Sequence, residues 1–292
     1  MSTPPFLDLP DTARAGRAGT VRGEFAYLDA VPAAGRQVVG TALLVPGFTG
    51  GKEDFIALLE PLARRGYRVL AFDQRGQYET PGPRDDAAAY AREELVADLW
   101  ALLDGVADGE RVHLVGHSFG GLVARSAALD DPSRLASLTL MSTGPSAVRD
   151  AETARLLMLE DALGSLTLQQ VWDGMRQLDA EAGVRPPADP RVAAYLRTRW
   201  LANSPAGLAA VARQLRTEPD LTEALAKCVA DGLRALVLSG ARDYAWPVAW
   251  QAETARRLGV PHVVVDDAAH SPNAEQPEAT AKGLADFWDA VR

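Results

Sequence analysis

The pentapeptide Gly116-His117-Ser118-Phe119-Gly120 is the stretch of the chain whose residue types and spacing best suit chemistry. A serine hydroxyl is a weak nucleophile unless the fold exposes it and a neighbouring base removes its proton. A sharp turn from a strand into a helix exposes the hydroxyl, and that turn requires glycine two residues before and two residues after the serine. The spacing therefore predicts that Ser118 is a nucleophile.

The residues on both sides of this pentapeptide predict the strand and the helix that such a turn joins. Residues 111–115 form a short apolar run typical of a buried strand, and residues 121–129 have the pattern of a helix. Gly121 adds a second small residue where that helix has to pack closely. A glycine-rich turn that only connects two elements is the alternative interpretation, and the order of strand, turn and helix favours the nucleophile.

Four histidines are candidates for the base that the serine needs. His270 follows a predicted strand on a loop at the carboxyl end of the sheet, where open α/β sheets bind their ligands. His113 lies inside a predicted strand, His262 opens another, and His117 is expected to point away from Ser118. We therefore predict that His270 is the base.

A serine and histidine pair also needs a carboxylate that orients the imidazole. Asp243 lies on the loop after the preceding predicted strand, at the same end of the sheet as His270. The loop of residues 142–146 contains no carboxylate, and Asp267 is close to His270 in sequence, which makes it the second choice. Asp243 is the predicted orienting acid, and Asp267 stays open as an alternative.

Attack on a carbonyl group requires hydrogen-bond donors for the oxygen that becomes negative. The backbone N–H of Phe119, directly after the nucleophile, is one predicted donor. The second is the N–H of Phe48, because the glycines of residues 45–51 allow the backbone to turn inward. A phosphate-binding loop is a poor alternative, since these residues match neither of the glycine-rich phosphate-binding patterns.

Short apolar runs alternate with helical patterns along most of the chain, which predicts an α/β fold with a mostly parallel central sheet flanked by helices. An early strand pair is expected at residues 23–28 and 40–45. From residue 145 to residue 231 only helical patterns occur. We therefore predict a core made of residues 1–144 and 232–292, interrupted by a helical insertion at residues 145–231.

The overall composition argues for a small-molecule substrate and against nucleic acid or an anionic membrane as partner. The 292 residues carry a formal net charge of −9, and there is only one cysteine, Cys228, so no internal disulfide can form. The first ten residues lack the pattern of a signal peptide, and no apolar run reaches membrane-spanning length. The sequence predicts a cytoplasmic protein and leaves its oligomeric state open.

Together these residues resemble the α/β-hydrolase superfamily over roughly residues 25–288, and most closely its capped esterases, lipases and cofactor-free perhydrolases. The order of Ser118, Asp243 and His270 is the nucleophile, acid, base order of that fold. The resemblance implies that residues 145–231 form a cap over the active site and that catalysis uses neither cofactor nor metal. The other matching stretches are Phe72-Asp73-Gln74-Arg75-Gly76, expected as a turn after a strand, and Glu275-Gln276-Pro277-Glu278, expected as the start of the last helix.

Two stretches depart from the pattern of that superfamily. The oxyanion loop begins with Pro46-Gly47 where many members have His-Gly, so the support of this loop is expected to differ. After Gly76, the usual small residues give way to Gln77-Tyr78-Glu79-Thr80-Pro81, which predicts a pocket rim particular to a subgroup.

The predicted reaction is hydrolysis of a small, apolar ester or lactone through an acyl-serine. Carbon–carbon bond hydrolysis, thioester cleavage, acyl transfer and perhydrolysis would use the same groups and stay open. A ligand-binding or sensor protein with vestigial turnover is the alternative of another class. The predicted apolar pocket residues, which could equally be plain core, are Trp172, Met175, Trp200 and Trp246.

Overall fold

The computed structural model describes residues 2–107 and 109–292; Met1 and Asp108, which belong to the predicted core, lie outside the described residues. The described residues contain one eight-stranded sheet. Its strands are β1 (Ala13–Thr20), β2 (Gly23–Ala30), β3 (Gly40–Val45), β4 (Tyr67–Phe72), β5 (Val112–His117), β6 (Leu135–Met141), β7 (Ala235–Gly240) and β8 (His262–Val265).

The strand order is β1-β2-β4-β3-β5-β6-β7-β8. The first two strands pair antiparallel, β2 also runs antiparallel to β4, and every later neighbour pair is parallel. Because β5, β7 and β8 are all parallel, their carboxyl ends open at the same edge of the sheet. The predicted α/β fold with a mostly parallel sheet is confirmed.

The first strands differ from the prediction in two ways. Strand β1 was not predicted, because its sequence Ala-Arg-Ala-Gly-Arg-Ala-Gly-Thr has no run of large apolar residues and buries only Ala18. The expected pair of β2 and β3 is wrong, since β4 lies between these two strands. Within the described residues no helix joins β2 to β3; instead the crossover through α1 brings β4 parallel to β3 and into the position between these two strands.

Helices cover both faces of the sheet. The helices outside the long β6–β7 connection are α1 (Ile56–Arg64), α2 (Arg92–Val106), α3 (Phe119–Asp130), α9 (Val248–Leu258), α10 (Pro272–Glu275) and α11 (Pro277–Val291). Residues of α2 and α3 share one apolar cluster with one face of the sheet, and residues of α1 and α11 share another cluster with the opposite face.

Strand β3 shows how one strand contributes to both apolar clusters. Leu43 and Val45 belong to the cluster with α2 and α3, whereas Ala42 and Leu44 belong to the cluster with α1 and α11. Successive side chains of a strand point to opposite faces, so a strand covered on both sides is a continuous apolar run. This burial fixes the sheet from which the site is built.

The connection between β6 and β7 is helical, with α4 (Asp150–Ser165), α5 (Leu168–Glu181), α6 (Pro190–Ala202), α7 (Pro205–Thr217) and α8 (Thr222–Ala230). Helix α7 begins where its sequence favours a start, because the Ser204 hydroxyl accepts the Gly207 N–H at 3.1 Å and Pro205 occupies the first turn. Helices α5 and α6, with Leu208 of α7, form an apolar cluster of their own.

The predicted limits of the insertion, residues 145 and 231, stay a prediction. Helix α8 packs against α3 and α9 of the sheet layer, while α4 packs against α7. We use the name helical insertion below for α4–α7. No helix within the described part of the chain is long and apolar enough to cross a membrane.

Candidate active site

Ser118 occupies the turn between β5 and α3 in a backbone conformation that side chains rarely adopt, with φ of 56° and ψ of −122°. The flanking glycines are required by close backbone contacts. A Cβ atom on Gly116 would lie 2.2 Å from the Gly120 carbonyl oxygen, and one on Gly120 would lie 2.2 Å from the Val45 carbonyl oxygen. The turn therefore has the form that the glycine spacing predicted.

Ser118, His270 and Asp243 are connected by two hydrogen bonds. The Ser118 Oγ lies 3.0 Å from the His270 Nε2, and the His270 Nδ1 lies 2.9 Å from the Asp243 Oδ1. When the Nδ1–H donates to the carboxylate, the Nε2 keeps a lone pair that can accept the serine proton. The structure thus brings together three residues that are up to 152 positions apart in sequence.

Asp243 is held by donors that the sequence did not reveal. Its Oδ1 also accepts the Ala245 N–H at 3.0 Å, and its Oδ2 accepts the Gln251 side-chain amide at 2.9 Å. Gln251 lies on α9 and is fully buried. These bonds fix the carboxylate in the orientation that holds the imidazole of His270.

The alternative acid, Asp267, has no hydrogen bond to His270. Its side chain is exposed, its backbone is left-handed with φ of 57°, and its carbonyl oxygen accepts a bond from Arg242. Among these two carboxylates, the geometry favours Asp243 as the partner of the imidazole.

His117 supports the backbone of His270. Its buried Nε2 lies 2.7 Å from the His270 carbonyl oxygen, and it donates to that oxygen. Burial, with a smaller effect from the neighbouring His270, lowers the pKa of His117 to about 3, so the imidazole stays neutral at ordinary pH. His117 is therefore a positioning group rather than a second base.

Glu275 holds the same loop from its other side. Its two carboxylate oxygens accept the backbone N–H groups of Ala269 and Ser271, which flank His270. The sequence resemblance placed Glu275 at the start of the last helix. The structure instead ends α10 with Glu275 and begins α11 at Pro277, so this carboxylate orders the loop.

The loop that contains Phe48 is supported by two glutamine side chains. Gln74 donates to the Pro46 carbonyl oxygen at 2.8 Å, and Gln77 donates to the Gly47 carbonyl oxygen at 2.9 Å. In a trans peptide the carbonyl and the following N–H point in opposite directions, so Gln77 turns the Phe48 N–H away from itself. Two glutamine side chains thus support this loop, and Gln77 belongs to the departure noted after Gly76; that the support differs from that of other members stays a prediction.

The Phe48 and Phe119 N–H groups have no hydrogen-bond acceptor among residues 2–107 and 109–292. The Gly47 backbone approaches Ser118 so closely that a Cβ atom on Gly47 would lie 3.0 Å from the Ser118 Cβ. The Phe119 N–H begins α3, whose helix dipole favours negative charge at that end. The two predicted donors thus lie on the loop of Gly47 and at the first residue of α3, and both of these segments meet at Ser118.

A cavity of about 130 Å³ opens beside the three hydrogen-bonded residues. We call it the serine cavity. Its wall is lined by Ser2, Gly47, Phe48, Thr49, Asp54, His117, Ser118, Val148, Glu152, Leu156, Leu215, Tyr244, Ala245, Trp246 and His270. Trp246 is the one predicted pocket residue in this wall, and its ring centre lies 6.2 Å from that of His270.

Trp172, Met175 and Trp200 do not line the serine cavity, so the prediction of pocket residues is wrong for these three. Trp172 and Trp200 are buried with ring centres 6.5 Å apart, and Met175 packs against the same apolar cluster. The Trp200 N–H donates to the Leu168 carbonyl oxygen at 2.8 Å. An apolar helix face has the same spacing whether it covers a cavity or packs against another helix.

The charged groups in the wall of the serine cavity are carboxylates. Asp54 is fully buried and pairs with Arg199 of α6 at 2.6 Å, and Glu152 pairs with the exposed Arg155 at 2.8 Å. Burial raises the pKa of Asp54 in spite of the arginine beside it. Within the described residues, no group of three or more His, Cys, Asp or Glu side chains is arranged to hold a metal ion.

A family model described as the alpha/beta hydrolase family matches residues 42–282 of the chain, which is far more than half of its length. The chain belongs to the alpha/beta hydrolase family. The matched range contains Ser118, Asp243 and His270, together with the loop of Phe48 and the helical insertion.

Members of the alpha/beta hydrolase family with known names resemble the chain to different extents. A candidate carbamate hydrolase, RutD, of Variovorax paradoxus is 42% identical, but the match covers only 35% of this chain and 38% of that protein. A 2-(acetamidomethylene)succinate hydrolase of Mesorhizobium japonicum is 29% identical over 85% of this chain and 87% of its own length. A bacterial membrane phospholipase A superposes with a TM-score of 0.75 at 26% identity, covering 96% of this chain and 87% of that one.

Proposed function

We propose that the protein is a serine hydrolase that cleaves a small, uncharged ester or lactone through an acyl-serine intermediate. The observation that carries this proposal is the pair of hydrogen bonds that connects Ser118 to His270 and His270 to Asp243. The family, whose named members include hydrolases, supports the wider class of reaction.

In the first step His270 accepts the proton of the Ser118 hydroxyl through its Nε2 while the Oγ attacks the carbonyl carbon. Asp243 stabilises the imidazolium that forms and keeps its ring oriented. His270 then donates the proton to the departing alcohol oxygen, and the acyl group remains on Ser118. A water molecule that gives its proton to His270 hydrolyses the acyl-serine in the second half of the reaction.

The N–H groups of Phe48 and Phe119 are the proposed donors to the oxygen that becomes negative. Their lack of other acceptors and their position at Ser118 support this role. Loss of one such donor reduces stabilisation of the transition state by about 3 kcal/mol in serine hydrolases. The Gln77 bond to the Gly47 carbonyl would keep the Phe48 donor in place before substrate arrives.

The wall of the serine cavity supports an uncharged substrate. Among the described residues that line it are the carboxylates of Asp54 and Glu152 but neither lysine nor arginine. The relative from Mesorhizobium japonicum is named for a succinate, which carries two carboxylates. A dianion would meet like charge here without a cationic partner, so we infer that this chain acts on a different substrate. The volume of about 130 Å³ fits a small acyl group.

The first test is the intact mass of the protein after a short incubation with a fluorophosphonate. The wild type should gain one adduct, and Ser118→Ala should gain none. Ser126→Ala is the matched control, because its hydroxyl lies on α3 and bonds only the Leu122 carbonyl. An unmodified wild type would contradict an activated Ser118 and would favour the ligand-binding alternative.

The second test is turnover of a panel that contains p-nitrophenyl acetate, a small lactone, a thioester and a β-diketone. We expect the two oxyesters to be the best substrates by kcat/KM. A higher kcat/KM for the β-diketone would instead assign carbon–carbon bond hydrolysis to the same three residues, and a higher value for the thioester would assign thioester cleavage.

A further inference from the structure

A second cavity lies on the other side of Phe48. Its volume is about 20 Å³, and it lies beneath α7. We call it the α7 cavity. Phe48 and Thr49 line both the serine cavity and the α7 cavity, so these two residues form the wall between them. The Phe48 side chain contacts the apolar clusters of both the sheet layer and the helical insertion.

The proposed mechanism determines which part of a substrate faces this wall. His270 must reach the alcohol oxygen that departs, so the alcohol lies on the His270 side of Ser118. The carbonyl oxygen lies between the N–H groups of Phe48 and Phe119. The remaining substituent of the carbonyl carbon, the acyl chain, is then directed away from His270 and toward Phe48.

The α7 cavity alone holds about one water-sized group, and together with the space that the Phe48 ring fills it is suited to an alkyl chain. Its polar side chains are already engaged, since Gln74 and Gln77 donate to the oxyanion loop and Arg75 pairs with Asp98. Thr49 and Asn203 are also engaged, since the Thr49 hydroxyl donates to the Phe48 carbonyl oxygen and the Asn203 amide donates to the Arg199 carbonyl oxygen. Apart from Phe48, the other side chains of the wall are apolar or aromatic. These residues are Tyr90, Leu95, Phe119, Leu208 and Val211.

We propose that the side chain of Phe48 sets the upper limit on acyl chain length by closing the serine cavity from the α7 cavity. This inference rests on the proposed function. The wild type accepts short acyl groups, and removal of the phenyl ring joins the two cavities into one acyl site. The role belongs to the side chain alone, because the oxyanion donor is the backbone N–H of the same residue.

The experiment compares kcat/KM for p-nitrophenyl acetate and p-nitrophenyl octanoate in the wild type and in Phe48→Ala. We expect the octanoate to acetate ratio to rise at least tenfold in the variant. An unchanged ratio in a folded Phe48→Ala protein, judged by its thermal unfolding, would overturn the inference. A variant with an unchanged ratio that still hydrolyses acetate leaves the proposed function intact.

Two further variants distinguish the role of Phe48 as a wall between the two cavities from a general widening of the serine cavity. Leu156→Ala enlarges the serine cavity at a residue that does not line the α7 cavity, so any change in its ratio should be unaffected when Val211→Phe is added. Val211→Phe, made together with Phe48→Ala, fills the α7 cavity and should return the ratio to that of the wild type. A ratio that stays high in this double variant would place the long chain elsewhere and overturn the proposal.

Val211→Phe alone keeps the test decisive if Phe48→Ala fails to fold. With Phe48 in place the α7 cavity is closed to substrate, so filling it should leave the ratio unchanged. A fall in the ratio would mean that the wild type already uses the α7 cavity. If the wild type hydrolyses no ester and takes no fluorophosphonate, the proposed function itself has failed.

Discussion

The sheet layer and the helical insertion differ in what holds their residues in place. In the sheet layer, parallel strands buried on both faces fix the loops of Ser118, Asp243 and His270 by backbone geometry. The helical insertion has a smaller apolar cluster and leaves Leu157, Met158 and Leu178 exposed. The residues of the proposed reaction thus lie on the sheet layer, while α4 and α7 of the insertion contribute Glu152, Leu156 and Leu215 to the wall of the serine cavity.

The two regions are joined by polar contacts as well as apolar ones. Arg199 of α6 pairs with Asp54 at 2.6 Å and also donates to the Ser2 carbonyl oxygen at 2.8 Å. The Tyr195 hydroxyl donates to Glu53 at 2.8 Å. Since Asp54 also lines the serine cavity, a change in the insertion can reach the site through this ion pair.

The comparison predicts that a change to the sheet-borne acid will remove turnover without altering selectivity. Asp243→Asn should lower kcat roughly 10⁴-fold, because an amide favours the wrong tautomer of His270. Steady-state kinetics on p-nitrophenyl acetate would measure this loss. Asp267→Asn is the matched control and should retain wild-type kcat; a large loss there would reverse the assignment of the two carboxylates.

Removal of the ion pair between the regions should destabilise the protein strongly. Arg199→Met leaves the carboxylate of Asp54 buried without its partner, and loss of one member of a buried pair costs about 3–5 kcal/mol. Urea unfolding would give the change in the free energy of unfolding. Arg191→Met, on the same helix, breaks exposed pairs with Asp8 and Asp189 and should change the free energy of unfolding far less, because solvent screens exposed pairs.

Equal losses in Arg191→Met and Arg199→Met would mean that the attachment of the insertion does not depend on the buried pair. The insertion would then be held to the sheet layer by its apolar contacts alone. That outcome would remove the ion pair as a route by which the insertion influences the serine cavity.

Substitution of one glycine in each region by alanine compares how tightly the backbone is packed at those two positions. Gly120→Ala places a methyl group against the Val45 carbonyl oxygen and should destabilise the protein by about 3 kcal/mol. Gly174→Ala in α5 meets no atom within 4 Å and should stabilise the protein by about 0.5–1 kcal/mol. Thermal unfolding of both variants measures the contrast, and a stable, active Gly120→Ala would argue against a tightly packed turn at Ser118.

The sheet layer should also account for part of the acid sensitivity of the fold. Burial lowers the pKa of His113 to about 4, so the unfolded chain binds this proton first as the pH falls. The resulting stability is present above about pH 6.5 and is lost as the pH falls toward about 4. Between pH 7 and pH 5 the loss from His113 is about 2 kcal/mol.

Urea unfolding of the wild type and of His113→Gln at these two pH values tests this assignment. The variant should lose about 2 kcal/mol less than the wild type, because its side chain does not titrate. His117, whose pKa is also lowered by burial, contributes equally to both proteins and cancels in the difference. The same pH dependence in both proteins would remove His113 as a source of acid sensitivity.

The sequence predicted those parts of the fold and site that follow from local rules. Glycine spacing predicted the turn at Ser118, and the position of Asp243 and His270 after two strands placed them at the same edge of a parallel sheet. The pairing of β2 with β3 was wrong because strand neighbours depend on crossovers between distant segments. Local sequence patterns do not determine which strands become neighbours in the sheet.

The groups that support the site could not be predicted for a related reason. Gln77 donates a hydrogen bond to Gly47, 30 residues away, and His117 donates one to His270, 153 residues away. No local sequence pattern predicts such distant hydrogen-bond partners for a glutamine or a histidine. Trp172 and Trp200 had a periodicity that is the same for a cavity wall and for a helix–helix contact. The loop after Gly76 was recognised as unusual, but its function as a support required the three-dimensional contacts.

The position of the helical insertion in the chain has a consequence for biosynthesis. The insertion separates Ser118 from Asp243 and His270, so a ribosome produces the serine and its turn well before the two groups that activate it. Until β7 and β8 have emerged and joined the sheet, the serine of the nascent chain has neither base nor orienting acid under the proposed mechanism. Under that mechanism, reactivity toward acyl groups would begin only after the carboxyl-terminal strands have folded, and the growing chain would be protected from premature acylation.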